Sequence, residues 1–143
     1  MMTNKSKGFS MIEILVVITI IAILAAIVVT NVTHYLNRGK NASVKANIST
    51  ALTNSAVYFN ENGNYTDFCT SDGYLIAVGE ANKASGGTAV GKCTDTTFCS
   101  CSPLRATAEE GEGSTFCVDY TGFKGISTTD CQTRCTDLGS CSD

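Results

Sequence analysis

The sequence predicts an α+β protein. One long N-terminal α-helix, apolar in its first part and amphipathic in its second, packs on a small antiparallel β-sheet with a disulfide-rich C-terminal region. Three observations predict it. Between residues 14 and 29 only Thr19 is polar. Between residues 31 and 62 apolar side chains return every three or four positions, the period of one helix face. All eight cysteines lie beyond residue 68.

The apolar stretch comes first. Residues 9–29 would form a helix of roughly 30 Å at about 1.5 Å per residue, the thickness of a bilayer core. Glu13 is the one acid inside it. A charge at mid-bilayer costs about 2.5–3.5 kcal/mol, and even off-centre an acid needs a partner. A chain cut after Gly8 would supply one. The ammonium of Phe9 would stand four residues before Glu13, about one helical turn away. Glu13 would then sit in the first turn, where the helix dipole favours negative charge. In the uncut chain neither source of stabilisation is expected. A secretory signal peptide fits less well, because its apolar region is short and an acid there is unfavourable. A plain single-pass anchor accounts for the apolar run but for neither Glu13 nor the Gly8–Phe9 junction.

The run Lys7-Gly8-Phe9-Ser10-Met11-Ile12-Glu13-Ile14 resembles the prepilin signature of bacterial type IV pilins and type II secretion pseudopilins. The resemblance is strong over about the first 30 residues and loose over the next 30. It implies a pilin-like fold and a leader, residues 1–8, removed by a prepilin peptidase that cuts between Gly8 and Phe9. It implies an N-methylated Phe9, and Glu13 as the assembly residue that pairs with a neighbour's N-terminal amine. As partners it implies an inner-membrane assembly platform, the membrane before assembly, and further copies of the chain in a helical filament. As location it implies the inner membrane for the precursor and the cell exterior for the filament. Thr30 stands where the family often has a proline, so no proline kink is expected. Gly39, which costs about 1 kcal/mol relative to Ala in a helix, is where a bend or local melting is expected.

The expected segments are residues 1–8 (leader), 9–30 (apolar helix), 31–62 (amphipathic continuation) and 63–143 (small disulfide-rich head). On the amphipathic part Val44, Ile48, Ala51, Leu52, Ser55 and Phe59 make the buried face, and Gly63 is the stop. Residues 62–65, Asn-Gly-Asn-Tyr, resemble the turn after the long helix in many pilins. Residues 67–73 read as a loop, 74–81 as a short helix or a strand, and 85–88 as a turn. Strands are expected at 96–101 and 115–120, joined by an acidic turn at 109–113. A turn at Thr121-Gly122 returns residues 123–126 as a hairpin partner. Two to four antiparallel strands follow. The tail, 129–143, reads as crosslinked coil with one helical turn.

Cys69, Cys93, Cys99, Cys101, Cys117, Cys131, Cys135 and Cys141 are expected to form disulfides in an oxidising compartment; eight cysteines allow 105 pairings, and the sequence does not choose among them. Cys131-x3-Cys135 has zinc-ligand spacing and Cys99-x-Cys101 does not. Glu109, Glu110 and Glu112 are a candidate calcium loop, with Asp119, Asp130 and Asp137 a weaker set. Arg38, Lys40 and Lys45 form a small basic patch suited to lipid headgroups and then to salt bridges inside a fibre. Asn31, Asn41, Asn47 and Asn64 each head an Asn-x-Ser/Thr triplet open to glycosylation.

Ten basic against 13 acidic residues give a net charge of −3. Removing Lys5 and Lys7 with the leader leaves 8 against 13, or −5. This balance argues against nucleic-acid binding. With one histidine, His34, and no nucleophile–base pair or phosphate loop, neither catalysis nor a cofactor is expected. The leading expectation is a structural subunit of a type IV pilus-like filament. The alternatives are a type II secretion pseudopilin and a membrane-anchored disulfide-rich binding module such as a tip adhesin.

Overall fold

The computed structural model describes residues 8–135 and 139–141. Lys5, Lys7 and most of the expected leader lie outside the described residues, as does Asp137. The chain divides into two compact units, Met1–Tyr35 and Leu36–Asp143. Helix α1, Met11–Asn62, contributes to both and runs unbroken through Thr30 and Gly39.

In the first unit the helix carries almost nothing but aliphatic side chains. Three of its polar side chains turn back onto its own carbonyls. Thr19 Oγ1 donates to Val16 O at 2.7 Å, Asn31 Nδ2 to Ile27 O at 3.3 Å and Thr33 Oγ1 to Val29 O at 3.1 Å. Such bonds satisfy hydroxyls and amides without an outside partner, so the surface stays apolar.

In the second unit α1 buries the stripe Asn41, Val44, Ile48, Ala51 and Ser55. Leu52 is partly buried beside it. Phe59 departs from the expected stripe: it is 39% exposed and packs on Tyr65, ring centroids 4.7 Å apart. The helix ends as expected. Gly63 takes φ 74°, a left-handed conformation natural to glycine, and its N–H donates to Phe59 O at 2.7 Å.

Residues 67–73 are more ordered than the sequence suggested. They contain a short 3₁₀ helix, Phe68–Thr70, and the start of α2, Asp72–Ser85. The ambiguous run at 74–81 is therefore helical. It turns Tyr74, Ala77, Val78 and Ala81 inward, and Gly86, φ 76°, closes it.

Four strands follow as an antiparallel meander in the order β1-β2-β3-β4: β1 Val90–Cys93, β2 Phe98–Pro103, β3 Thr115–Asp119 and β4 Lys124–Ser127. β1 has no alternating apolar pattern, which is why the sequence did not announce it. Pairing with β2 and the Cys69–Cys93 disulfide hold it in place. Glycine at position 91 gives the Tyr74 ring its room, because a Cβ there would overlap the Tyr74 hydroxyl.

β2 and β3 are buried on both faces. Phe98, Phe116 and Val118 point into the main core with Val44, Ile48, Phe68 and Tyr74. Phe68 and Phe98 meet edge to face at 5.1 Å. Cys99, Cys101 and Cys117 point the other way. There the C-terminal segment covers them through Cys99–Cys135, Cys101–Cys131 and Cys117–Cys141. The helical turn α3, Cys131–Arg134, sits in that cover, capped by Asp130, whose side chain accepts from the N–H groups of Gln132 and Thr133.

Candidate functional site

Two places on α1 bring the sequence-predicted residues together. The first is its start. Gly8, Phe9 and Ser10 precede the helix and are exposed. Glu13 lies in the first turn, and its Oε2 accepts the Ser10 N–H at 2.8 Å. Ser10 O in turn accepts the N–H of Glu13 at 3.1 Å. Ser10-x-x-Glu13 is therefore half of a capping box, the acid reaching back to the N-cap amide. The expectation that Glu13 is unsupported in the uncut chain is corrected. With Gly8 still joined to Phe9, Glu13 has a hydrogen bond and stands at the positive end of the helix. The sequence carried this signal in its Ser-x-x-Glu spacing.

From Ile14 to Val29 the helix surface is apolar apart from Thr19. The large apolar side chains from Phe9 to Val29 are between 48% and 91% exposed. α1 is long and apolar enough to cross a membrane. An uncovered surface of this kind in water would be strongly unfavourable at about 25 cal/mol per Å²; it belongs in lipid or against other apolar helices.

The second place lies on α1 just after Leu36, where the loop of residues 104–114 is fastened to the helix. Asn41 is 1% exposed. Its Oδ1 accepts the Arg105 N–H and its Nδ2 donates to Arg105 O, each at 2.8 Å. The same Nδ2 donates to the Glu110 carboxylate, which also accepts from Lys45. Asn37 Nδ2 reaches Ala106 O at 3.4 Å, and Arg38 pairs with Glu109 at 2.9 Å. Arg105 Nε extends the network to α2 by donating to Ala84 O at 2.8 Å. Burial alone would raise the Glu110 carboxyl. The hydrogen bonds from Lys45 and Asn41 outweigh it and hold the group below the usual carboxylate range.

This clamp revises several expectations. Glu109 and Glu110 are not an open calcium loop: each is engaged by a cation from α1. The basic patch is correspondingly spent, with Arg38 and Lys45 neutralised inside the chain. Lys40 has no ion-pair partner among the described residues. Asp119 accepts the Cys141 N–H at 3.0 Å and the Thr121 N–H at 2.9 Å, and Asp130 caps α3, so those acids serve the backbone. Asn41 is too buried and too fully bonded to carry a glycan. Asn31, Asn47 and Asn64 bond to neighbouring backbone. His34 is exposed on the helix. Cys99, Cys101, Cys131 and Cys135, weighed as zinc ligands, are disulfide-bonded. Asn41 heads an Asn-x-Ser triplet in the sequence, but its place three residues before Val44 on the same buried stripe was the signal for its part in the clamp.

Comparison with known proteins agrees with this geometry. Residues 3–29 match the family described as the prokaryotic N-terminal methylation motif, a stretch that takes in the Gly8–Phe9 junction, Glu13 and the apolar run. Over 89 residues it is 32% identical to the type IV major pilin protein PilA of Myxococcus xanthus, covering 62% of this chain and 40% of that protein. Over 76 residues it is 36% identical to the type IV wide pilus major component PilA4 of Thermus thermophilus, covering 53% of this chain and 56% of that one. Over these stretches the chain is similar to type IV pilins. The matched stretch spans about half the length of the relatives. No solved structure matches significantly.

Proposed function

We propose that this chain is the structural subunit of a type IV pilus-like filament. The observation that carries the reading is the uncovered apolar helix with a single capped acid at its start. Before assembly the helix is held in the inner membrane. A prepilin peptidase removes residues 1–8, and the new Phe9 amine is methylated. Through an inner-membrane assembly platform, the helix then moves from lipid into a bundle of identical helices outside the cell. Its apolar surface is never exposed to water, so the transfer carries no hydrophobic penalty. Glu13 leaves its Ser10 cap for the Phe9 amine of a neighbour, which sets the axial offset; an unpaired acid in that bundle disfavours other offsets.

The names of the two relatives, both components of type IV pili, support a pilus subunit over a secretion pseudopilin or a tip-bound binding module. Amino-terminal mass spectrometry on sheared filaments tests the reading. A chain beginning at N-methylated Phe9 is expected, and filaments lacking this chain, or carrying it with residues 1–8 attached, would refute it.

A further inference from the structure

The second unit carries two apolar surfaces that its own elements leave open. The first lies on α1 and α2. Because α2 turns Tyr74, Ala77, Val78 and Ala81 into the core, its other side presents Leu75 and Ile76, 52% and 68% exposed. Ile76 stands one turn from Gly73. Gly73 and the 55% exposed Val57 line an open groove of about 290 Å³. Glu61 lines it too, and has no ion-pair partner among the described residues.

The second lies on β4, the sheet edge remote from β1. Lys124 and Ile126 are two residues apart and so share a face. Their cross-strand partners are Val118 and Phe116, which places them on the main-core side of the sheet. Yet Ile126 is 46% exposed, and Lys124 has no ion-pair partner among the described residues.

We infer that these surfaces are the two halves of one contact between copies of this chain, Lys124 and Ile126 of one copy seating against Glu61, Val57 and Ile76 of the next. Each half pairs an exposed aliphatic surface with one unmatched charge, and the charges are opposite. Both complementary halves occur on a single chain, which favours a second copy over a foreign partner. They lie on different elements, so the contact is heterologous. Such contacts do not close as a two-fold dimer and instead propagate as rings or open helical polymers. The inference rests on the filament reading and adds to it a contribution from the globular unit, independent of the apolar helix.

Charge exchange tests it in the full-length chain, expressed in cells that assemble it. Glu61→Lys and Lys124→Glu should each lower sheared filament yield by about tenfold, the equivalent of about 1.4 kcal/mol, with membrane levels of the chain unchanged. Glu61→Lys combined with Lys124→Glu should restore most of the yield. Single variants that assemble like the parent, or a double variant no better than either single, overturn the contact and leave the filament reading standing. A parent chain that reaches the membrane and never forms filaments overturns both. A photoreactive Ile76→benzoylphenylalanine variant, whose side chain is exposed and whose folding is therefore not at issue, gives a second readout. It should crosslink to the peptide bearing residues 124–127 of a neighbouring copy, and a crosslink to another protein or to another part of the chain refutes the pairing.

Discussion

The side-chain amide of Asn41 takes both backbone polar groups of Arg105, its Oδ1 and Nδ2 each 2.8 Å from their partners. A helix side chain here does the work of a paired strand for an irregular loop. Asn41→Ala would leave the Arg105 N–H and C=O without partners at a buried site. Each unsatisfied group costs about 1–3 kcal/mol, so the variant should lose about 2–6 kcal/mol in denaturant unfolding of the full chain in detergent. Asn41→Asp should fare no better, since it loses the donor and sets a second carboxylate beside Glu110. Unfolding midpoints within error of the parent would show that the pair does not hold the loop.

Acid should weaken this clamp. The Glu110 carboxyl is held below its ordinary value of 4.5 by Lys45 and Asn41. A group whose folded-state pKa is depressed contributes stability above the unfolded value and loses it as pH falls through the folded one. Thermal midpoints of the parent should therefore drop as pH falls below about 4.5. Glu110→Gln should be less stable at pH 7 and show a shallower decline over the same interval. Parallel pH curves for the two chains would remove Glu110 from the account.

The start of α1 and its apolar run were legible in sequence because they depend on local features: an unbroken run of aliphatic residues, one acid, and a glycine before an aromatic residue. The buried stripe on the second half was legible from its period, apart from Asn41, whose role depends on a loop 64 positions away. The same distance explains the clamp's other surprise. Glu109 and Glu110 read as a solvated acidic turn until the fold brings Arg38 and Lys45 to them. β1 escaped notice because Gly91 and Lys92 carry no strand pattern; the Tyr74 ring and a disulfide decide that segment. Cysteine pairing was beyond reach for the same reason. β-strand alternation, visible only once the register is known, sends Cys99, Cys101 and Cys117 to one face.

Gly91 tests the fit between α2 and the sheet. A Cβ there overlaps the Tyr74 hydroxyl and crowds the ring carbon that bears it. Overpacking of this kind costs about 1–3 kcal/mol, so Gly91→Ala should lower the unfolding midpoint. Tyr74→Phe in the same chain should recover part of the loss by removing the hydroxyl. If Gly91→Ala is neutral, the ring moves aside freely and β1 is less tightly held than its contacts imply.

Removing a crosslink on the far face tests the second core. The Cys101–Cys131 disulfide closes a loop of 30 residues, which constrains the unfolded chain by about 3–4 kcal/mol. Joint Cys101→Ser and Cys131→Ser substitution should destabilise the chain by about that amount and leave the main core formed, read as retained near-ultraviolet signals from Tyr74 and Phe98. Loss of those signals at neutral pH would mean that the two faces of the sheet do not fold independently of this bond.

One pair of substitutions separates the cap that Glu13 provides from the assembly role proposed for it. Its Oε2 accepts the Ser10 N–H at 2.8 Å, and a glutamine at this position keeps an acceptor oxygen in the same place while losing the charge. Glu13→Ala loses both. If the carboxylate serves assembly through its charge, both variants should insert in the membrane and be processed at Gly8–Phe9, and neither should yield filaments in quantity. The helix start should differ between them. Glu13→Gln should keep the first turn protected from amide hydrogen exchange, while Glu13→Ala should expose it by roughly 0.5–2 kcal/mol of lost capping. Normal filaments from Glu13→Gln would show that the cap, rather than the charge, is what this acid supplies, and the pairing with a neighbour's amine would have to be abandoned.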